Sequence, residues 1–394
     1  MPSLPQPEVV TLGCRLNIAE SETIRALAAG RDVAVVNGCG VTNRAVKDTR
    51  AAIRRLRRAR PHAELIVTGC ASDMDRAAFA AMPEVDRIVA NTAKLLPASW
   101  GARGNMAPPR AHTRAFVAVQ TGCDHACTFC AIPSGRGPSR SEPIADLVPY
   151  VAGLVTAGQR EVVLSGVDLT SYRDGGRTVA DLIEALLAQV PGLDRIRLSS
   201  IDPAEVDEAL FALLTQEPRV MPHVHLSLQA GNDLTLKRMK RRHSRLDAIQ
   251  LVERLKAARP EIAIGADLIA GFPTEDDAMA GETLAIVDEC DIVHAHVFPY
   301  SPRAGTPAAR MPQVAPDIAK ARADRLRAAS AARKAAWLAT LVGSVQPIVI
   351  EKPGDRGHAP NFAEVRLPSP HAIGAVITAT ITHATDTHLI GHPA

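Results

Sequence analysis

The sequence predicts an α/β protein in three parts: an N-terminal parallel α/β sheet domain, a central partial barrel of six β/α units, and a small antiparallel β-barrel at the C-terminus. Two observations carry this reading. Apolar β-type runs alternate with helical patterns twice, once before residue 100 and again from Ala115 to Tyr300, and such alternation implies right-handed βαβ units and parallel sheets. After Val345 the helical pattern stops, and short β-type runs separated by Gly, Pro and Asp take its place.

The first series reads as strands EVVTLG (Glu8–Gly13), VAVVN (Val33–Asn37), ELIVTG (Glu64–Gly69) and RIVAN (Arg87–Asn91). Helices AESETIRALAAG, VTNRAVKDTRAAIRRLRRAR and SDMDRAAFAAM lie between them, with Thr42 and Ser72 as expected N-caps. Leu95–Thr113 is rich in Pro, Gly and Ala, breaks both periodicities and reads as a linker. Six further strands are expected to start near Ala115, Glu161, Arg195, His223, Ile262 and Asp291. VADLIEALLAQV and SRLDAIQLVERLKAAR are the clearest helices between them. Four prolines between Pro299 and Pro312 close the series, and a long Ala/Arg helix follows from Asp317 to about Leu341. The runs VQPIVIEK, FAEVRL, AVITATITHA and HLIG form the tail barrel. The domains are therefore expected at 1–100, 112–340 and 342–394.

A chain of 394 residues, 46% hydrophobic and 22% charged, is neither disordered nor collagen-like. It has no apolar run near the ~20 residues that cross a bilayer. MPSLPQPEVV lacks both a basic n-region and an apolar h-region, so a cytoplasmic protein without a membrane partner is expected. Charge is nearly balanced, 45 Lys+Arg against 42 Asp+Glu, yet three stretches are strongly basic: Arg44–Arg60, Lys237–Arg245 and Lys320–Lys334. Any one of them can be a solvated helix face. Three together favour a polyanionic partner, because phosphate binding depends on local potential rather than net charge.

Seven cysteines point to metal ligands or buried thiols before disulfides in a reducing compartment. Cys123-Asp-His-Ala-Cys127-Thr-Phe-Cys130 follows the first barrel strand directly. Three soft thiolates so close can wrap one face of an iron–sulfur cube and leave one iron open. A structural zinc site wants four ligands. His125 could be the fourth, though its position between the cysteines strains tetrahedral closure. Cys14, Cys39 and Cys70 each lie at or just past the end of a different N-terminal strand, flanked by Gly13, Gly38, Gly40 and Gly69. Adjacent parallel strands sit about 5 Å apart, so three such tips can converge on one sheet edge. Buried thiols in strand–helix turns are the alternative for this second set, and Cys290 reads as core. His223/His225 and His294/His296 alternate along their strands and fit either a metal site or a polar barrel lining.

The first triplet resembles the signature of the radical S-adenosylmethionine (SAM) enzymes. That resemblance implies a 4Fe–4S cluster on Cys123, Cys127 and Cys130, with SAM chelating the open iron and yielding a 5′-deoxyadenosyl radical. It further implies SAM contacts at Gly166 and Asp168 after the second barrel strand, Ser199 after the third, Ser227 and Gln229 after the fourth, and Asp267 after the fifth. Gly166-Val167-Asp168 departs from the usual Gly-Gly-Glu-like turn.

The two triplets in this order, followed by a small β-barrel, resemble the radical-SAM methylthiotransferases over nearly the whole chain. TLGCRLN, VTNRAV, GCDHACTFC, GRGPSRS, LSGVDLTSY, LSSIDP, HLSLQAGND, LKRMKRRHS and FPYSPRAGTPAARM look most like the branch acting on N6-threonylcarbamoyladenosine beside the tRNA anticodon. NGCGVT differs from that branch's usual N-T-C-x-V-T. The resemblance implies a second 4Fe–4S cluster on Cys14, Cys39 and Cys70, a TRAM-type RNA-binding tail, tRNA as partner, and external electron and sulfur donors. It also supplies a reason for two clusters. The C–H at adenine C2 is neither acidic nor electrophilic, so it yields to a carbon radical rather than to acid–base chemistry, while sulfur is methylated and delivered from elsewhere. Rival readings are a branch acting on isopentenyladenosine, a branch acting on a ribosomal-protein aspartate, and a non-catalytic iron–sulfur RNA-binding protein.

Overall fold

The computed structural model describes residues 6–102 and 113–394. The N-terminal sheet has four parallel strands in sequence order, Glu8–Thr11, Val33–Gly38, Glu64–Gly69 and Arg87–Ile88. Its buried strands are apolar runs of Val, Leu and Ile because helices cover both faces. Thr42 caps the helix Asn43–Ala59 as expected, accepting from the Ala45 N–H at 3.1 Å.

Two expectations need correction here. The helix expected over 72–82 is two short ones, Cys70–Met74 and Arg76–Ala80. Ser72 is no cap; it is buried within the first, its hydroxyl donating to the Gly69 carbonyl at 3.0 Å. Asp75 is the cap of the second, accepting from Ala78, and its competing side chain breaks the helix there. The stretch read as a linker from Leu95 also begins as structure. Pro97–Trp100 is a 3-10 turn, Trp100 is fully buried, and its indole N–H donates to the Lys94 carbonyl at 2.7 Å. The rest of that stretch, 103–112, lies outside the described residues.

Six parallel strands form the partial barrel: Arg114–Ala118, Glu161–Ser165, Arg195–Leu198 (resumed at Ser200–Ile201), His223–Gln229, Ala263–Ala270 and Ile292–Pro299. The break at Ser199 divides them into a three-stranded and a four-stranded sheet. Their sequences alternate with period two. Val162 and Leu164, Ile196 and Leu198, Val224 and Leu226, and Ile264 and Ala266 face the helices and build the largest core. The residues between them, from Glu161 and Arg197 through His223, His225 and Ser227 to Asp267, His294 and His296, therefore line the interior.

The long helix Pro316–Thr340 runs along the sixth strand, where Arg327 donates to the Val297 carbonyl. Five strands then close the tail barrel: Val345–Glu351, Arg356–His358, Glu364–Arg366, Val376–Ala384 and Leu389–Pro393. All its pairs are antiparallel except Glu364–Arg366 with Leu389–Pro393, which is parallel. This small barrel covers the N-terminal ends of the large barrel's strands. Arg195 donates to the Pro347 carbonyl at 2.7 Å, Arg197 to the Pro360 carbonyl at 3.0 Å, and Arg114 pairs with Glu351 at 3.0 Å.

Candidate functional site

The first barrel strand delivers Cys123, Cys127 and Cys130 to the C-terminal mouth of the barrel. Backbone N–H groups of His125 and Ile132 donate to the Cys123 and Cys130 sulfurs, each at 3.4 Å, and the Arg241 guanidinium lies 3.6 Å from the Cys127 sulfur. Burial pushes the Cys123 thiol up and the Cys130 thiol up to about 12, with the neighbouring cysteines adding to it. Thiolate is the form that binds a soft metal, so a cation taking these sulfurs as ligands must displace their protons. Three converging sulfurs with N–H donors aimed at them fit an iron–sulfur cluster.

Around this loop the strand ends bring together most of the residues singled out for SAM. The Gly166 N–H donates to the Ser199 hydroxyl at 3.2 Å, and the N–H groups of Val167 and Asp168 both donate to Gln120 Oε1. His125 Nε2 lies 2.7 Å from Asp168 Oδ2. That hydrogen bond raises the His125 pKa; burial pushes the Asp168 carboxyl up, but His125, the Thr170 hydroxyl and the Arg242 charge together outweigh it and hold Asp168 below the usual range. Arg241 donates to the Ser227 carbonyl at 2.6 Å and to Asp202 at 3.0 Å, while Arg242 bridges Asp202 and Glu205. Gln229 takes a left-handed backbone, φ 73°. Asp267 stands apart from these groups, lower in the interior, within 3.1 Å of both His225 Nε2 and His296 Nδ1. Gln120, Asp202, Arg241 and Arg242 were not separable beforehand; the two arginines sit in a basic run whose members look alike until the helix turns them.

Cys14, Cys39 and Cys70 do converge. Gly13, at φ 105°, leaves the space that Cys39 fills: a Cβ there would sit 2.7 Å from the Cys39 Cβ. Burial, with Cys14 and Cys70 adding to it, pushes the Cys39 thiol up to about 11. The barrel contributes to this second site too. Arg303, in the loop after the sixth strand, donates to Asn43 Oδ1 at 2.7 Å and approaches the Met74 sulfur, within electrostatic reach of Cys39.

The two triplets are pressed together through the short helix Ile132–Arg136 that follows Cys130. Gly135 packs closely there: a Cβ would meet Met74 Cε at 2.7 Å and Cys70 Cα at 3.4 Å. Arg136, 2% exposed, donates to Glu20 and Asn17, and Asn17 in turn faces the Cys14 thiol. Lys94 reaches Glu20 from the other side at 2.6 Å.

Below the mouth, the interior is polar down to a floor formed by the tail. Phe362 of the tail lies at that floor. It stacks on His358 (centroids 4.6 Å) and meets His223 (4.9 Å), with the Arg114 and Arg197 guanidiniums over its ring. The four barrel histidines line the interior against one another, His223 on His294 and His225 on His296.

Residues 117–287 match the radical SAM superfamily, and residues 7–90 match the uncharacterized protein family UPF0004. The chain is 43% identical to the threonylcarbamoyladenosine tRNA methylthiotransferase MtaB of Rickettsia prowazekii, covering 95% of this chain and 94% of that protein. It is 34% identical to a tRNA-2-methylthio-N(6)-dimethylallyladenosine synthase of Anaeromyxobacter dehalogenans, covering 99% and 95%. In fold it is similar to the radical SAM methyltransferase TsrM of Kitasatospora setae, with a TM-score of 0.54 and 14% identity over 71% of this chain and 64% of that one. Two cysteine triplets facing one barrel mouth, and identity of this extent over nearly full-length relatives, lead to one conclusion: the chain belongs to the radical-SAM methylthiotransferase family, enzymes that transfer sulfur-containing groups.

Proposed function

We propose that the protein methylthiolates N6-threonylcarbamoyladenosine of tRNA, beside the anticodon, at adenine C2. The observation that carries this reading is the convergence of both cysteine triplets, clamped by Arg136, on one barrel mouth, in a chain 43% identical to an enzyme named for that nucleoside. Cys123, Cys127 and Cys130 would hold one 4Fe–4S cluster and Cys14, Cys39 and Cys70 a second. When bound, these clusters and SAM supply the electron, the radical and the methylated sulfur that the protein's own side chains lack.

The protein's own residues bind and orient. Gly166, Asp168, Ser199, Ser227, Gln229 and Asp267 would hold SAM beside the cysteine loop. Asp168 holds His125, Gln120 fixes the turn that carries Asp168, and Arg241 and Arg242 are fixed by Asp202. The Arg136 clamp sets the spacing between radical source and sulfur source. The tail barrel is read as a TRAM-type RNA-binding module, in domains 1–100, 112–340 and 342–394. Electron and sulfur donors are external, and cytoplasmic tRNA is the substrate; among the described residues no helix is long and apolar enough to cross a membrane.

Nucleoside mass spectrometry of tRNA from cells lacking the protein tests the assignment. The 2-methylthio form of threonylcarbamoyladenosine should vanish while its precursor accumulates. Loss of methylthiolated isopentenyladenosine instead, the reading favoured by the dimethylallyladenosine synthases among the relatives, would reassign the substrate.

A further inference from the structure

Arg15 follows Cys14 directly, and its side chain leaves the N-terminal domain for the interior of the barrel. Its guanidinium lies 5.5 Å from the Phe362 ring, in the field of Arg114, Arg197, Asp267 and Glu161. The other floor arginines are occupied: Arg114 by Glu351, Arg195 by the Pro347 carbonyl, and Arg197 by Glu161 at 2.8 Å. Arg15 has, among the described residues, no hydrogen bond and no ion pair. Burial, then repulsion from Arg114 and Arg197, pushes its pKa down to about 10, so it is still a cation at neutral pH.

A second observation comes from its surroundings. His223 is 1% exposed and neither of its ring nitrogens has a partner; His294 Nε2 has none either. Buried polar groups are rarely left so. Together they describe a stretch of the barrel interior that lacks one anion and several hydrogen-bonding atoms.

We propose that Arg15 reads the carboxylate of the N6-threonylcarbamoyl group, which extends from the adenine into the barrel interior. This rests on the function proposed above. In adenine, C2 and C6 are separated by N1, so a base that turns C2 toward the cysteine mouth turns its N6 substituent away from it, into the interior. The threonylcarbamoyl group brings a carboxylate for Arg15 and a hydroxyl and urea for the histidine nitrogens. An isopentenyl group brings none, and would leave the cation buried and unpaired, the kind of mismatch that discriminates strongly.

The test uses full-length reconstituted enzyme and three tRNAs, carrying threonylcarbamoyladenosine, the same group with its carboxylate converted to the amide, and isopentenyladenosine. Wild type should show a KM about 10- to 100-fold higher for the amide than for the acid, the size of one charge-assisted contact, with kcat changed little. Arg15→Met should raise the acid KM by that factor, handle acid and amide alike, and keep wild-type iron content; Arg15→Lys should recover part of the difference. Equal handling of acid and amide by wild type overturns the proposal even if Arg15→Met does not fold. So does an Arg15→Met effect of the same size on both substrates. Turnover by wild type of the isopentenyl tRNA alone is the separate result that removes the substrate reading itself, and Arg15's role with it.

Discussion

Arg136 Nη1 and Glu20 Oε1 lie 2.8 Å apart, both side chains almost fully buried, joining the loop of one cysteine triplet to the helix that follows the first cysteine of the other. Burial pushes the Glu20 carboxyl up, but Lys94 and Arg136 outweigh it and hold it below the usual carboxylate range. Two cations share one carboxylate. Glu20→Gln should therefore be the worse lesion, about 3–5 kcal/mol by urea unfolding, because it strands both cations. Arg136→Met leaves Lys94 with Glu20 and should cost less, and Arg136→Lys should recover only part of it, since the planar fork is lost. Losses under about 0.5 kcal/mol for both, the size of an ordinary surface change, would mean the clamp is incidental.

Metal content separates the two triplets. Anaerobic reconstitution should give about eight irons per chain. Replacing Cys123, Cys127 and Cys130 with Ala should halve that, as should replacing Cys14, Cys39 and Cys70. The second variant should still make 5′-deoxyadenosine from SAM and reductant but no methylthiolated product. Stoichiometric zinc without iron would sink the cluster assignment.

The basic helix Asn43–Ala59 has two kinds of arginine. Arg57 donates to the Glu84 and Ala63 carbonyls and pairs with Asp86, so it holds the sheet together. Lys47, Arg55 and Arg58 are exposed, and their spacing puts them on one face. Charge reversal at these three should weaken tRNA binding and lower the salt slope by about 2–3. Arg57→Ala should instead lower stability with the salt slope unchanged. An unaltered slope in the triple variant would take this face out of the RNA interface.

Glu161 links pH to the seat of the tail barrel. Burial pushes its carboxyl up, but Arg197, Arg114 and Arg195 together outweigh that and hold its pKa below the ordinary value. A depressed folded pKa means the stabilisation is complete above the unfolded value, about 4.3 for Glu, and is lost as pH falls through the lower folded one. Wild type should lose stability across that acid window more steeply than Glu161→Gln, which should start lower at pH 7. Urea unfolding at pH 7, about 4 and about 3 compares the two across that window; parallel acid limbs would show that Glu161 is not the group involved.

Local patterns carried much of this structure in advance. The alternation of apolar β-type runs with helical patterns placed all six barrel strands, and Thr42 caps its helix because a hydroxyl before a helical pattern has one useful N–H within reach. Ser72 failed the same test because the helix had already begun at Cys70, where the strand ends. Trp100 lay in a Pro- and Gly-rich stretch that reads as a linker, since only the tertiary cavity that receives the indole distinguishes it. The cysteines were legible because their chemistry needs spacing alone. Arg136 with Glu20, Arg303 beside Cys39, and Arg57 against Arg58 were not. The first two are joined only by the chain's return over long sequence distances, and the last pair differ only in the direction the helix turns them.

The seating of the tail on the far end of the barrel from the cysteines also sets a length. The fifth strand has 8 residues, which at ~3.3 Å each makes the barrel wall about 25 Å high. Any single RNA that touches both the tail and the reacting mouth must reach from one rim to the other along the outside, much farther than one nucleotide extends. A free nucleoside can occupy only one of the two places, whereas a folded hairpin stem with its loop can occupy both. With RNA held at both places, the barrel would act as a spacer, rewarding a substrate for its overall dimensions as well as for the base it presents.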